Sequence, residues 1–191
     1  MTNFQAVPVY LSQDADDTAL VGRCRTGDWA AFEAIVQRHQ RVFHTVALRM
    51  LGDREDARDA TQTTFVKVFE HLDSFDEHQR FFSWAYRILR NECLNMLRAR
   101  RSTEPVSEQL PAPDGPMDRL ERDERRRRVQ AALLALPVEY REVVVLRHFA
   151  GLSYAEVGTT LGIPEKTVKS RLYTARQRLG ERLLGWEAQH D

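Results

Sequence analysis

Apolar residues recur at three- and four-residue steps along most of this chain, and glycines fall where those runs stop. After Asp28, the residues Trp29, Phe32, Ile35, Val36, Phe43, Val46, Ala47 and Met50 trace one helical face. Asp28 predicts an N-cap for that helix, Gly52 its stop, and Asp53 the cap of the next. In the second helix Ala57, Ala60, Thr64, Phe65, Val68, Phe69 and Leu72 form the predicted inner face, and Asp73-Ser74-Phe75-Asp76 breaks it. A third long helix is predicted from near Arg80, with Phe82, Ala85, Leu89, Cys93 and Met96 inward. No segment alternates like a strand, and the short apolar run at 143–146 has helical flanks. The expected fold class is all-α, with two small helical domains.

The pattern divides the chain. Residues 14–101 form the first expected unit. Residues 102–117 hold Pro105, Pro111, Pro113 and Pro116 and little to bury, which predicts a flexible, proline-rich tether between separately folding units. Residues 118–187 form the second unit. There Leu133, Leu134, Leu136, Val143, Val144, Leu146 and Phe149 supply two helices broken near Pro137. Ser153 and Glu156 then have the spacing of a capping box, in which each side chain satisfies the other's free backbone donor. Their helix ends at Leu161-Gly162, Ile163-Pro164 turns the chain, and a final helix starts near Glu165 with Val168, Leu172, Ala175 and Leu179 on one face.

Composition narrows the function. With 42% hydrophobic and 29% charged residues, the 191-residue chain is too apolar to be disordered. Cys24 and Cys93 are too few for a disulfide framework or a four-cysteine zinc site. Cys93 is expected in the apolar core, and no histidine pairs with a cysteine at metal spacing, so no metal and no cofactor are expected. No apolar run is long enough to insert in a membrane, and residues 1–17 lack the features of an export signal. A cytoplasmic protein is expected.

The formal net charge is zero, yet the charge is not evenly spread. Between Pro164 and Gly180 lie Lys166, Lys169, Arg171, Arg176 and Arg178 against the single acid Glu165. A short capped helix, a turn and a basic second helix together form a helix-turn-helix pattern. The first turns of its second helix can present Glu165, Lys166, Thr167, Lys169 and Ser170 to base edges and phosphates in a major groove.

These residues resemble a known family. Leu152-Ser153-Tyr154-Ala155-Glu156-Val157, Leu161-Gly162-Ile163-Pro164, Thr167-Val168-Lys169-Ser170-Arg171-Leu172 and Ala175-Arg176 are similar to the promoter-reading motif of bacterial sigma factors. The similarity is closest to the small extracytoplasmic-function (ECF) group of the sigma-70 superfamily. Gly52-Asp53, Asp56-Ala57-Arg58-Asp59, Gln62 and Phe65-Val66-Lys67-Val68-Phe69 resemble that family's polymerase-binding helix. Phe82, Trp84, Arg87, Asn91 and Arg98 resemble its promoter-melting helix. The three motifs occur in the family's order over about residues 15–185.

The resemblance implies a core RNA polymerase partner, docked on Asp56, Asp59 and Gln62 through a basic helical surface. It implies that Trp84, Arg87, Asn91, Asn95 and Arg98 open the −10 element and hold its non-template strand, by stacking and by hydrogen bonds to exposed bases. It assigns the −35 element of promoter DNA to Glu165, Lys166, Thr167, Lys169, Ser170, Arg171 and Arg176. A regulatory anti-sigma factor is implied, and neither a catalytic centre nor a small-molecule substrate is. Asn95 stands where the family often has Asp, and Lys166 where it often has Gly, so the promoter sequence does not transfer from relatives.

Two other functions fit parts of the chain. A two-domain activator would explain the helix-turn-helix and leave the aromatic, Asp-rich first unit unexplained. A helical enzyme built on Asp56 and Asp59 would lack an accompanying histidine and a phosphate-binding glycine loop.

Overall fold

The computed structural model describes residues 14–103 and 117–187, with side chains described for 16–100 and 124–184. Every regular element among the described residues is helical. The first unit comprises α1 (Asp14–Arg25), α2 (Trp29–Leu51), α3 (Arg54–Glu70) and α4 (Phe81–Thr103), with a 3-10 turn at Leu72–Ser74. The second comprises α5 (Met117–Leu134), α6 (Val138–His148), α7 (Tyr154–Leu161) and α8 (Glu165–Glu187). Most of the predicted tether, with its acids Glu104, Glu108 and Asp114, lies outside the described residues.

The predicted caps form. The Asp28 carboxylate accepts from the Ala31 amide at 3.3 Å, and Asp53 accepts from the Asp56 amide at 2.9 Å. Gly52 takes the left-handed conformation that ends α2, with φ of 80°. α1 was not distinguished by the sequence pattern. It is fixed to α2 by Asp17, whose buried carboxylate meets Arg38 at 2.6 Å and the His39 ring at 2.9 Å. Val21 completes the attachment from the apolar side.

Two residues of the predicted inner faces are exposed instead. Trp29 is 64% and Phe69 48% accessible. They lie at the open end of the α2–α3 pair, where no further helix among the described residues covers them. With Phe32 they form an aromatic trio whose ring centroids lie 5.0–5.5 Å apart.

In the second unit Pro137 separates α5 from α6, and the Ser153–Glu156 capping box forms in both directions, at 3.3 and 2.7 Å. Gly162, with φ of 67°, ends α7. Gly158 lets the turn close: a Cβ there would stand 2.8 Å from the Ile163 carbonyl oxygen.

The units were expected to fold separately, yet here they share one continuous buried apolar cluster. Polar contacts add to that cluster. At the end of α2 the Gly52 amide donates to the Leu48 carbonyl at 2.8 Å, and the carbonyls of Arg49, Met50 and Leu51 have no helical partners. Gln130 of α5 donates to the Leu48 and Arg49 carbonyls at 3.2 and 3.4 Å, Arg141 of α6 to Met50 at 2.5 Å, and Arg100 of α4 to Leu51 at 2.9 Å. Cations at this end also suit the helix dipole. Much of the α2 cap is therefore supplied by the other unit.

Candidate polymerase and nucleic-acid interfaces

Three surfaces carry the predicted site residues. The first is a groove of about 980 Å³ between α2 and α3, walled by Trp29, Phe32, Val36, Phe65, Val66 and Phe69. Gln62 lines it, beside the phenylalanines. Asp59 is exposed on the same helix. Asp56 is half-buried and paired with Arg100, which brings α4 against the start of α3. The three predicted residues share one helix, but only Gln62 enters the groove.

The second surface is the outer face of α4. Arg87, Asn91, Asn95 and Arg98 form an exposed stripe, each about one turn from the next. Arg98 donates to Asn95 at 3.4 Å. Trp84 does not belong to this stripe. It is only 9% accessible and packs against Phe75 and Phe81, with ring centroids 5.2 and 5.8 Å away. The helical period places Trp84 at the same angle as this stripe, and what covers it is Phe75 of the preceding loop, which the period does not report. In this position it anchors the loop that precedes α4.

That loop has a second anchor, which the sequence did not reveal. Arg25 at the end of α1 donates to the Phe75 carbonyl at 2.6 Å and to Leu72 and Asp73 at 3.1 and 3.3 Å, and it meets Glu77 at 2.7 Å. Arg87 reaches back to Gln79 of the same loop. An arginine 47 to 52 residues distant in the chain leaves no local signal.

The third surface is the start of α8. Glu165, Lys166, Lys169, Ser170 and Arg176 are exposed, and Thr167 and Arg171 are half-buried. Lys169 meets Glu165 at 2.6 Å across one turn. Both groups are exposed, so the pair contributes little stability. Two further residues adjoin this face and were missed. Tyr154, the first residue of α7, has the Arg147 guanidinium 5.1 Å and the Lys169 ammonium 5.8 Å from its ring centre. A hydrogen bond from Arg176, with the charges of Arg176 and Arg147, holds the Tyr154 hydroxyl below the usual phenol range. The basic field thus extends to the α6–α7 corner. A count of charges confined to residues 164–180 excludes Arg147.

Comparison with known proteins agrees with these surfaces in chain order. Sigma-70 region 2 matches residues 35–103, and sigma-70 region 4 matches residues 126–179. The chain is 36% identical to the ECF RNA polymerase sigma factor SigE of Mycolicibacterium smegmatis, over 83% of this chain and 65% of that protein. It is 37% identical to the ECF RNA polymerase sigma factor SigM of Mycobacterium tuberculosis, over 91% of this chain and 87% of that one. Among solved structures it is similar to CnrH in complex with the cytosolic domain of CnrY, with a TM-score of 0.71 and 30% identity over 88% and 97% of the two chains. It is also similar to the sigma factor RpoE of Bartonella quintana, solved with the anti-sigma factor NepR, with a TM-score of 0.63 and 26% identity over 80% and 96%.

Proposed function

The chain belongs to the ECF sigma factors of the sigma-70 family, and from that premise we propose how its surfaces divide the work of initiation. As a sigma factor it is no enzyme: it binds core RNA polymerase and directs it to particular promoters, and the polymerase performs the chemistry. We assign residues 14–101 to polymerase docking and the −10 element, 102–117 to a linker, and 118–187 to the −35 element.

The α2–α3 groove, with Gln62 at its wall and Asp59 beside it, is the polymerase docking face. An apolar groove bordered by exposed carboxylates suits an amphipathic partner helix with basic flanks. Asp56 serves this face by holding α4 against it through Arg100.

The α4 stripe holds the opened −10 strand. Arg87 and Arg98 offer planar cations to phosphates and base faces, while Asn91 and Asn95 offer donors and acceptors to base edges. Trp84 contributes by fixing the loop ahead of the helix, where an unstacked base would lodge. The α8 start enters the −35 major groove with Glu165, Lys166, Thr167, Lys169, Ser170 and Arg171, and Arg176 with Arg147 and Tyr154 follows the backbone.

Control by an anti-sigma factor fits the same faces, since the similar RpoE of B. quintana is held by NepR. No helix among the described residues is long and apolar enough to cross a membrane. A cytoplasmic location follows from the polymerase partner.

The observation that carries this reading is the combination of an apolar groove and two separate basic faces in one chain. A plain activator needs only the third surface. The test is co-elution with core polymerase. The wild-type chain elutes with the enzyme, and Asp59→Arg, an exposed substitution, elutes alone with unchanged helicity. Co-elution of Asp59→Arg at wild-type strength would remove the α3 face from the docking surface.

A further inference from the structure

The loop between α3 and α4 carries little regular structure of its own. Its backbone bonds span two or three residues. The Ser74, Phe75 and Gln79 amides donate to the His71, Leu72 and Asp76 carbonyls at 2.9, 3.2 and 3.0 Å, and the His78 amide donates to the Asp76 carboxylate at 2.9 Å. Bonds of this range fix a turn and leave its placement on the protein open. Asp73, Ser74, Asp76, Glu77 and His78 are exposed. Placement comes from other elements. Phe75 is buried against Phe81 and Trp84 at the start of α4. Arg87 of α4 reaches Gln79, and Arg80, where the loop ends, pairs with Glu156 of α7. These contacts hold the second half of the loop to the helix that follows it. The first half is gripped from α1.

Arg25 divides its donors between two jobs. Its Nη2 donates to the Leu72, Asp73 and Phe75 carbonyls at 3.1, 3.3 and 2.6 Å, and its Nε reaches Leu72 again at 3.3 Å. Its Nη1 turns to the Glu77 carboxylate at 2.7 Å. The Arg25 side chain is 25% exposed and that of Glu77 53%, so the ion pair contributes little and the carbonyl bonds carry the grip. A planar fork lets one side chain collect three carbonyls and a carboxylate.

The corner that presents Arg25 is itself tied down. The Thr26 and Asp28 amides both donate to the Arg23 carbonyl at 3.1 Å, and the Gly27 amide donates to Cys24 at 2.9 Å. The Arg23 guanidinium holds the Asp28 carboxylate at 2.7 and 2.9 Å, and that carboxylate also caps α2. At the far end of α1 the buried Asp17 is fastened to Arg38 and His39. α1 is thus fixed to α2 at both ends and carries one long cation across to the loop. An unstacked base needs a pocket whose shape is set before it arrives, because a loop that must order on binding loses affinity by the cost of ordering. A grip on the carbonyls of residues 72, 73 and 75 fixes the backbone from which Ser74 and Asp76 face solvent.

We propose that Arg25 is a positioning residue for −10 selection: it touches no base, and by holding the backbone of residues 72–77 it sets the shape of the loop that chooses one. The inference rests on the assignment of this loop to the unstacked −10 base. Selection there depends on a helix outside α4 and α8.

The test separates positioning from plain support. Arg25→Ala is made in the full-length protein beside a control, Val21→Ala. Val21 is buried on the apolar side of α1, so its truncation weakens the same helix without touching the loop. Amide exchange of residues 72–79 is read in the free protein. Base preference is read as transcription by core polymerase from templates randomised across the −10 block of one promoter. Arg25→Ala should speed exchange in the loop by about tenfold or more relative to the control. It should also flatten the preference at one −10 position from about fivefold or more to within about twofold, the loss of one base-edge contact. Preference at the −35 block and co-elution with core polymerase should stay as in the wild type. Val21→Ala should lower stability and keep the wild-type preference.

Unchanged loop exchange in Arg25→Ala overturns the proposal. So does a freed loop that keeps the wild-type base preference, and so does an equal flattening by Val21→Ala, since each leaves Arg25 a stabilising part only. If Arg25→Ala loses helicity, Arg25→Lys, which keeps the charge and loses the planar fork, is judged by the same two readouts. A wild-type protein that initiates on no template contradicts the sigma-factor assignment itself. An active wild type beside an equally selective Arg25→Ala contradicts the inference alone.

Discussion

The two helices assigned to promoter DNA, α4 and α8, are both 23 residues long and are built on opposite plans. α4 is buried on all sides at its start: residues 81–86 are consecutively buried, between α2 on one flank and α7 on the other. Its exposed stripe begins only at Arg87. Among the described side chains of α8 only Val168, Leu172 and Ala175 are buried, and Tyr173 and Leu184 are exposed. The cations at the edge of α4 are paired with carboxylates of the other unit, whereas on α8 Lys169 meets Glu165 of its own helix. A helix that reads intact duplex can be peripheral, because the duplex supplies the counter-charge and the groove supplies the shape. A helix that holds a strand against re-annealing needs a rigid platform, and the core supplies that rigidity.

This contrast can be broken at several points. The largest expected effect is at Trp84. Because it is packed against Phe75 and Phe81, Trp84→Ala should cost ~3–5 kcal/mol of stability in urea unfolding. Loss of promoter opening with unchanged stability would return Trp84 to the exposed stripe. Next is Gly158→Ala, which sets a methyl against a backbone carbonyl that cannot move away. It should cost ~1–3 kcal/mol and loosen the α7–α8 turn, visible as faster amide exchange there. On α8 the expectation reverses. Lys169→Ala should leave stability within ~0.5 kcal/mol. As a base contact it would cost ~1–3 kcal/mol in promoter affinity, and as a phosphate contact it would reduce the salt dependence by about one ion. The smallest effect concerns the inner face of α4. Burial pushes the Cys93 thiol up to about 12, so almost no thiolate exists at pH 8. Alkylation of native protein at that pH should modify the half-exposed Cys24 and spare Cys93 until unfolding.

Local physics made much of this fold legible. The caps at Asp28, Asp53 and Ser153, the stops at Gly52 and Gly162, and the break at Pro137 act within one turn of chain, and each stands where its residue type predicts. The exposure of Glu165, Lys166, Lys169, Ser170 and Arg176 was legible for the same reason: a run of cations on an amphipathic helix marks its outer face. What failed was long-range. Trp29 and Phe69 follow the apolar period and are exposed, because no third element among the described residues reaches them. Arg25 holds a loop about 50 residues away, and Arg141 caps a helix 91 residues away. A charged side chain reads as surface unless its buried partner is known. The joint between the units was hidden for that reason: its members, Arg80, Arg90, Glu142 and Gln130, look like ordinary polar positions on separate helices.

The central claim is that this chain gives core polymerase a promoter choice, through one face that melts and another that reads. Mapping transcription start sites on fragmented genomic DNA, with core polymerase alone and with the protein added, tests it most directly. The account predicts a discrete new set of starts that share two sequence blocks, near −10 and −35. Substitution of Asn91 should reduce output from all of them, and substitution of Lys169 should alter the preference at the upstream block alone. If the protein binds duplex sites by itself and adds no starts to those of core polymerase, the sigma-factor account is contradicted and an activator takes its place.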